Sequence, residues 1–177
     1  MERTRFRDRY GIEPLSAAHD RSGFDCGVPA LNRYLATQVS QDVRRDATSV
    51  FVAVERASGA LHGYYGLAAA EIALDLLPPD VARKMPRYPT VPAVRLGRLA
   101  VHREAQGRGV GTHLLMDALY RALRSEIAWA AVRVDAKDDE ARRFYLQFGF
   151  LPLADDALHL FLMRKTIERV FAREDER

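Results

Sequence analysis

The stretch LGRLAVHREAQGRGVGTHLLMDAL, Leu96–Leu119, passes from an apolar strand-like segment through Gly107, Gly109 and Gly111 into a helical pattern. AVRLGRLAV reads as a strand, and over Thr112–Ser125 the residues Leu114, Leu115, Ala118, Leu119 and Ala122 recur at the spacing of one helix face. Glycines let a backbone approach a ligand closely, and the N–H groups at a helix N-terminus face whatever anion lies there. Strand, glycine turn and helix in this order describe a phosphate cradle, unless the turn merely connects the two elements.

Two common cradles do not fit. A dinucleotide site needs G-x-G-x-x-G and an acidic residue ending a neighbouring strand; here the glycines are spaced G-x-G-x-G and no such acid is present. A nucleoside-triphosphate loop needs Gly-Lys-Ser/Thr, and Gly111 is followed directly by Thr112. A pyrophosphate seat of another kind and the plain connector remain.

Working outward, the same stretch sits in an α/β succession. Upstream, PLSAAHDRSGFDCGVPALNRYLATQVSQ is irregular until Pro29, which suits a first helical turn, and then places Leu31, Tyr34, Leu35 and Val39 on one helical face. TSVFVAVERASGALHGYYGLAAAEIAL reads as two antiparallel strands joined at ASG, the second extended by LAAAEIAL. The proline-rich DLLPPDVARKMPRYPTVPAV reads as a loop excursion with a short helix after Pro79. Downstream, WAAVRVDAK reads as a strand, DDEARRFYLQFGF as a helix with an acidic start and a stop at Gly149, and LHLFLMRKTIERVF as a strand with a terminal helix.

The chain has 177 residues, 48% hydrophobic and 29% charged, which predicts one domain over 1–177, with a core at about 13–163, a basic N-terminal extension and a C-terminal helix. Cys26 is the lone cysteine, and no Cys/His cluster has metal-ligand spacing, so neither an intramolecular disulfide nor a metal is expected. MERTRFRDRYG lacks the apolar core of a secretion signal and no apolar run reaches membrane-spanning length, so a cytoplasmic protein without a membrane partner is expected. The net charge is +3 and nearly all the cations are arginine, which suits a phosphate-bearing partner as well as it suits a solvated basic surface.

Two motifs together resemble the GNAT family of N-acetyltransferases. Gln106, Gly109 and Gly111, following Leu99 and Val101, match its acetyl-coenzyme A signature; Ala141, Phe144, Tyr145, Gly149 and Phe150 in AKDDEARRFYLQFGF match its second conserved helix. The resemblance implies a single α/β GNAT-like domain with a mixed, mostly antiparallel central sheet flanked by helices. It implies acetyl-CoA as cosubstrate, held by Leu99, Ala100, Val101, Gln106, Gly107, Arg108, Gly109, Val110, Gly111, Thr112, Asp138 and Phe144. The resemblance also implies a bulge around Leu99–Val101 that aims a backbone N–H at the thioester carbonyl, and Tyr145 stands where the family keeps its general acid. Asp138 departs from the pattern, since many relatives carry asparagine there.

EPLSAAHDRSGFDCGVPALNRYL, with Phe24, Cys26, Leu31, Asn32 and Leu35, and the later GYYGLA resemble the family's TacT-like toxin branch. That branch implies charged tRNA as acceptor, acetylated on the aminoacyl α-amine so that translation stops, and a ribbon-helix-helix antitoxin as partner. A homodimer stays open. Arg83, Lys84, Arg87, Arg95, Arg98, Arg142 and Arg143 offer a basic rim for RNA phosphates, or else ordinary surface charge. Glu71 is the best carboxylate for a general base, although an exposed edge position explains it equally well. An α-amine titrates near ~7.7–8.0 and a lysine near ~10.4, so lack of a base favours an α-amine acceptor. Cys26 reads as a packing residue and His19 as a local hydrogen-bonding residue. The alternatives are a GNAT enzyme acting on a small-molecule amine or a protein N-terminus, and a non-catalytic acetyl-CoA-binding module.

Overall fold

The computed structural model describes the backbone of residues 2–175 and the side chains of residues 5–173, so the two ends of the expected 1–177 domain lie outside the described residues. In chain order come α1 (Glu2–Arg9), β1 (Tyr10–Pro14), α2 (Pro29–Arg33), a π-helical turn (Tyr34–Gln38), α3 (Val39–Arg44), β2 (Ser49–Glu55), β3 (Leu61–Ala73), α4 (Pro79–Ala82) and β4 (Thr90–Val101). After a 3-10 turn at Arg103–Ala105 follow α5 (Val110–Leu123), β5 (Ala131–Asp135), α6 (Asp139–Leu146), β6 (Leu151–Pro152), β7 (His159–Met163) and α7 (Arg164–Asp175). The strands run in the order β1-β2-β3-β4-β5-β7-β6. β4 and β5 pair in parallel, whereas β1–β2, β2–β3, β5–β7 and β6–β7 are antiparallel, as the expected mixed sheet requires.

The chain forms two compact units. The first takes the residues up to Ala68 together with Gly97–Ala118. Its core gathers Phe24, Tyr34, Leu35, Val39, Val52, Tyr64 and Ala100, with Leu31 packed against them. The helical face read from the sequence is therefore the buried one, but the helix is not continuous. The π turn between α2 and α3 inserts a wide turn that brings Tyr34 and Leu35 as well as Val39 into the same core.

Gly63 of β3 is where this unit packs most tightly: a Cβ there would lie 2.7 Å from Leu114 Cδ1 and 3.0 Å from the Ala100 carbonyl oxygen. Without that glycine α5 could not lie so close to the strand. The sheet also starts earlier than the sequence reading put it. β1 pairs along β2 from Tyr10–Glu55 to Pro14–Phe51, Phe6 stacks on His113 with ring centroids 3.7 Å apart, and Tyr10 Oη lies 3.0 Å from His62 Nδ1. Helix α1 shows no apolar stripe, since Phe6 is its one hydrophobic side chain, and YGIEP carries glycine and proline; neither announces itself by pattern.

The second unit takes Ala69–Leu96 and the residues from Leu119 onward. Ile72, Leu77, Val91, Ala93, Ala131, Leu153 and Phe161 form its core. β4 pairs with β5 from Ala93–Ala131 to Leu96–Val134. Trp129 precedes β5 rather than belonging to it, and its indole N–H donates to the Ala122 carbonyl at 3.0 Å. The short helix expected after Pro79 is α4. Glu71 is exposed as anticipated, on the part of β3 that runs beyond its pairing with β2, which ends at Ser49–Leu67.

Candidate functional site

Beyond β4 the chain turns at Gln106–Gly109, with Gly107 at φ 73° and Gly109 at φ 81°, values at which a side chain is strained. No atom lies within 4 Å of where a Cβ on Gly107 would stand. The bond from the His113 N–H to the Gly109 carbonyl, 3.1 Å, is the first in register at the head of α5. The N–H groups of Val110, Gly111 and Thr112 precede it and, as at any helix start, have no intrahelical acceptor. Gly107, Arg108 and Gly109 are exposed. An open turn without side chains, leading into orphan N–H donors at the positive end of a 14-residue helix, is suited to a pyrophosphate.

Gln106 is engaged elsewhere. Its Nε2 donates to the carbonyls of Cys26 at 3.0 Å and Val101 at 2.9 Å, so it pins the turn to the end of β4 and to the FDCG segment. That segment is itself held: Asn32 Oδ1 accepts from the Cys26 N–H at 2.9 Å, and Asn32 Nδ2 donates to Asp25 Oδ1 at 2.9 Å. The Arg103 N–H donates to the Asp25 carbonyl at 2.8 Å, and Arg103 Nε stands 3.2 Å from Asp25 Oδ2. The Gly27 N–H, then Asn32, holds the Asp25 carboxyl below its ordinary range. Asp25 and Arg103 were not singled out in the sequence; the Asn32 match was the signal that could have found them.

Along β4, Ala100 is buried in the first unit's core, while Leu99 and Val101 are half-buried. The backbone distortion expected around Leu99–Val101 falls one residue earlier, at Arg98, which has φ 53°. The Arg98 guanidinium lies 3.8 Å from the centroid of the Tyr34 ring, and Tyr34 donates its hydroxyl to Asp42 Oδ2 at 2.9 Å.

In the second unit, Tyr145 on α6 is 7% exposed, its ring edge-on to Phe144 and Phe150 with centroids 5.2 and 5.4 Å away. Burial pushes its phenol well above the usual tyrosine range, so the hydroxyl stays protonated at working pH. Among the described residues its hydroxyl has no hydrogen-bond partner, yet no buried polar side-chain atom is left unsatisfied, so the hydroxyl keeps access to solvent. Phe144 is half-buried and also meets Phe148, at 5.1 Å.

Asp138 caps α6: its Oδ1 accepts from the Ala141 N–H at 2.8 Å, and Lys137 Nζ meets its Oδ2 at 2.7 Å. The Ala141 bond, then Lys137, holds its carboxyl below the ordinary range. Oδ1 thus serves the helix start, a role that asparagine would fill equally well, while Oδ2 is paired with Lys137.

Arg83, Lys84, Arg87, Arg95 and Arg143 are exposed in the second unit and Arg98 is exposed in the first; none of them enters an ion pair among the described residues. Arg142 instead donates to the Ala157 carbonyl at 3.1 Å. His19 accepts from the Ser16 N–H at 2.9 Å and meets Glu13 Oε1 at 2.7 Å, the local role expected of it, and Cys26 is buried in the core. Among the described residues no group of three His, Cys, Asp or Glu side chains could hold a metal, and no helix is long and apolar enough to cross a membrane.

The family model of the acetyltransferase (GNAT) domain matches residues 46–152. A tRNA-acetylating toxin of Mycobacterium tuberculosis is 39% identical over 153 residues, covering 85% of this chain and 90% of its own. The structure of AtaT complexed with acetyl-methionyl-tRNAfMet superposes with a TM-score of 0.85 at 31% identity, over 92% of this chain and 99% of that one. A tyrosine-to-phenylalanine mutant of AtaT, bound to acetyl-CoA and the C-terminus of the antitoxin AtaR, gives a TM-score of 0.77 at 28% identity, over 92% of this chain and 98% of that one.

Proposed function

Because the chain belongs to the GNAT family of acetyltransferases, we propose that it moves the acetyl group of acetyl-CoA onto the α-amine of aminoacyl-tRNA, blocking translation in the cytoplasm as the toxin of a pair whose antitoxin is a ribbon-helix-helix protein. The observation that carries this reading is that the likeness to a tRNA-acetylating toxin covers 85% of the chain and is not confined to the cofactor motif. The AtaT complexes with acetyl-methionyl-tRNA and with AtaR support the acceptor and the antitoxin. In this reading the whole of 1–177 acts as one acetyltransferase domain.

Acetyl-CoA supplies an activated thioester. The N–H groups from Gly107 to Thr112 hold its pyrophosphate, and the backbone of Leu99–Val101, released from regular geometry by Arg98, offers a donor to the carbonyl. Phe144 lines the thiol end, and the Gln106 side chain keeps the turn in place beside the pyrophosphate. Tyr145, buried and neutral, gives its proton to the departing thiolate. An α-amine with a pKa near ~7.7–8.0 is partly neutral at working pH, so the amine can attack without a dedicated base. Glu71, exposed on its strand, is not assigned that task. The free cations Arg83, Lys84, Arg87, Arg95 and Arg143 meet RNA phosphates.

The test is an acceptor panel with the purified protein and acetyl-CoA: charged tRNA, the same tRNA deacylated, a peptide with a free N-terminus, and free amino acids. Transfer confined to charged tRNA is expected. Transfer to the peptide or free amino acids with charged tRNA inert assigns the enzyme to another amine, and hydrolysis or binding without transfer removes the acetylating role.

A further inference from the structure

Arg98 combines three features, of which the cofactor site uses only the first. It is the only non-glycine residue besides Asp46 with a left-handed backbone among the described residues, φ 53°. It lies on the same strand parity as Leu96 and Ala100, which are 2% and 5% exposed, yet Arg98 itself is exposed. Its guanidinium is stacked 3.8 Å from the Tyr34 centroid and, among the described residues, pairs with no carboxylate. The left-handed residue aims this side chain out to Tyr34 while Ala100, two residues on, is buried in the first unit's core, at a cost in backbone strain that persists where function needs it.

The platform beneath it is fixed. Tyr34 is buried, sits in the π turn between α2 and α3, and is tied by its hydroxyl to Asp42. The guanidinium therefore rests over a buried ring that a hydrogen bond ties to Asp42. A planar cation so held is a stacking surface as much as a charge, and unpaired bases at RNA ends are taken up on arginine planes and aromatic rings.

We infer that Arg98, set on Tyr34, is a nucleobase subsite that takes the terminal adenine of the charged acceptor by stacking on the guanidinium plane, next to Leu99–Val101 where the acetyl group is delivered. This rests on aminoacyl-tRNA being the acceptor. The ligand class is a 3′-aminoacyl-adenosine, and the contact recognises the base rather than a phosphate.

The probes are charged tRNA and an amide-linked 3′-aminoacyl-adenosine, which has no phosphate. Arg98→Lys keeps the charge and the backbone strain but loses the plane; it is expected to raise KM about ten-fold for both probes, with KM for acetyl-CoA measured as the reference. Arg98→Gly keeps the left-handed backbone without strain, so its thermal midpoint stays at or above that of the parent while KM for both probes rises similarly. A lysine variant as good as the parent with both probes overturns the subsite, and so does a loss seen with tRNA alone, which assigns Arg98 to a phosphate. An equal rise in KM for acetyl-CoA also overturns it, since the variant then acts through β4. If the parent acetylates neither probe while acetylating another amine, it is the acceptor assignment itself that fails.

Discussion

Tyr145 is a phenol kept neutral by burial, with aromatic rings around it and no hydrogen-bond partner for its hydroxyl among the described residues. A packing tyrosine would find its oxygen a partner or be replaceable by phenylalanine at no functional cost. Tyr145→Phe is therefore a sharp test: it removes one oxygen from a site that already packs as a phenylalanine. Turnover should fall by roughly 10²–10⁴-fold, while Kd for acetyl-CoA and the thermal midpoint stay close to those of the parent. Unchanged turnover would return Tyr145 to the core. Position and residue type were legible in the sequence; the burial of the ring around a partner-free hydroxyl was not, because burial comes from residues distant in the chain.

Among the elements, the glycine turn and α5 were the most legible, since glycine spacing and a 3.6-residue apolar period are local signals. α6 was equally readable from its acidic start and from Gly149, which has φ 88°. The interruption of the N-terminal helix was not. A π turn leaves apolar residues on one face, and the break shows only once Tyr34 is seen to carry Arg98. α1 and β1 were also hidden, because β1 is defined by backbone pairing with β2 rather than by its side chains. The packing of α5 on β3 depends on Gly63, where a methyl group would meet both a leucine carbon and a backbone carbonyl. Gly63→Ala is expected to destabilise the protein by about 1–3 kcal/mol, read as a lower denaturant midpoint; an unchanged midpoint would mean that Leu114 gives way freely.

For the molecule as a whole, the cofactor half could be read because its demands are local: orphan N–H groups, glycines and one tyrosine. The acceptor half could be read only through likeness to relatives, because arginines on a surface look alike in a sequence whatever they bind. The structure separates them in part. Arg142 is spent on the Ala157 carbonyl, whereas Arg98 is posed on a ring and the other rim cations carry no carboxylate. The Gln106 and Asp138 side chains hold the glycine turn and the start of α6. The central claim is that this machinery acetylates the aminoacyl α-amine. The most direct measurement is the mass of the 3′-terminal aminoacyl-adenosine released by nuclease from charged tRNA after reaction with acetyl-CoA. The account predicts one added acetyl group on the aminoacyl nitrogen with the parent and almost none with Tyr145→Phe; aminoacyl-adenosine of unaltered mass from every charged tRNA in the pool would contradict it.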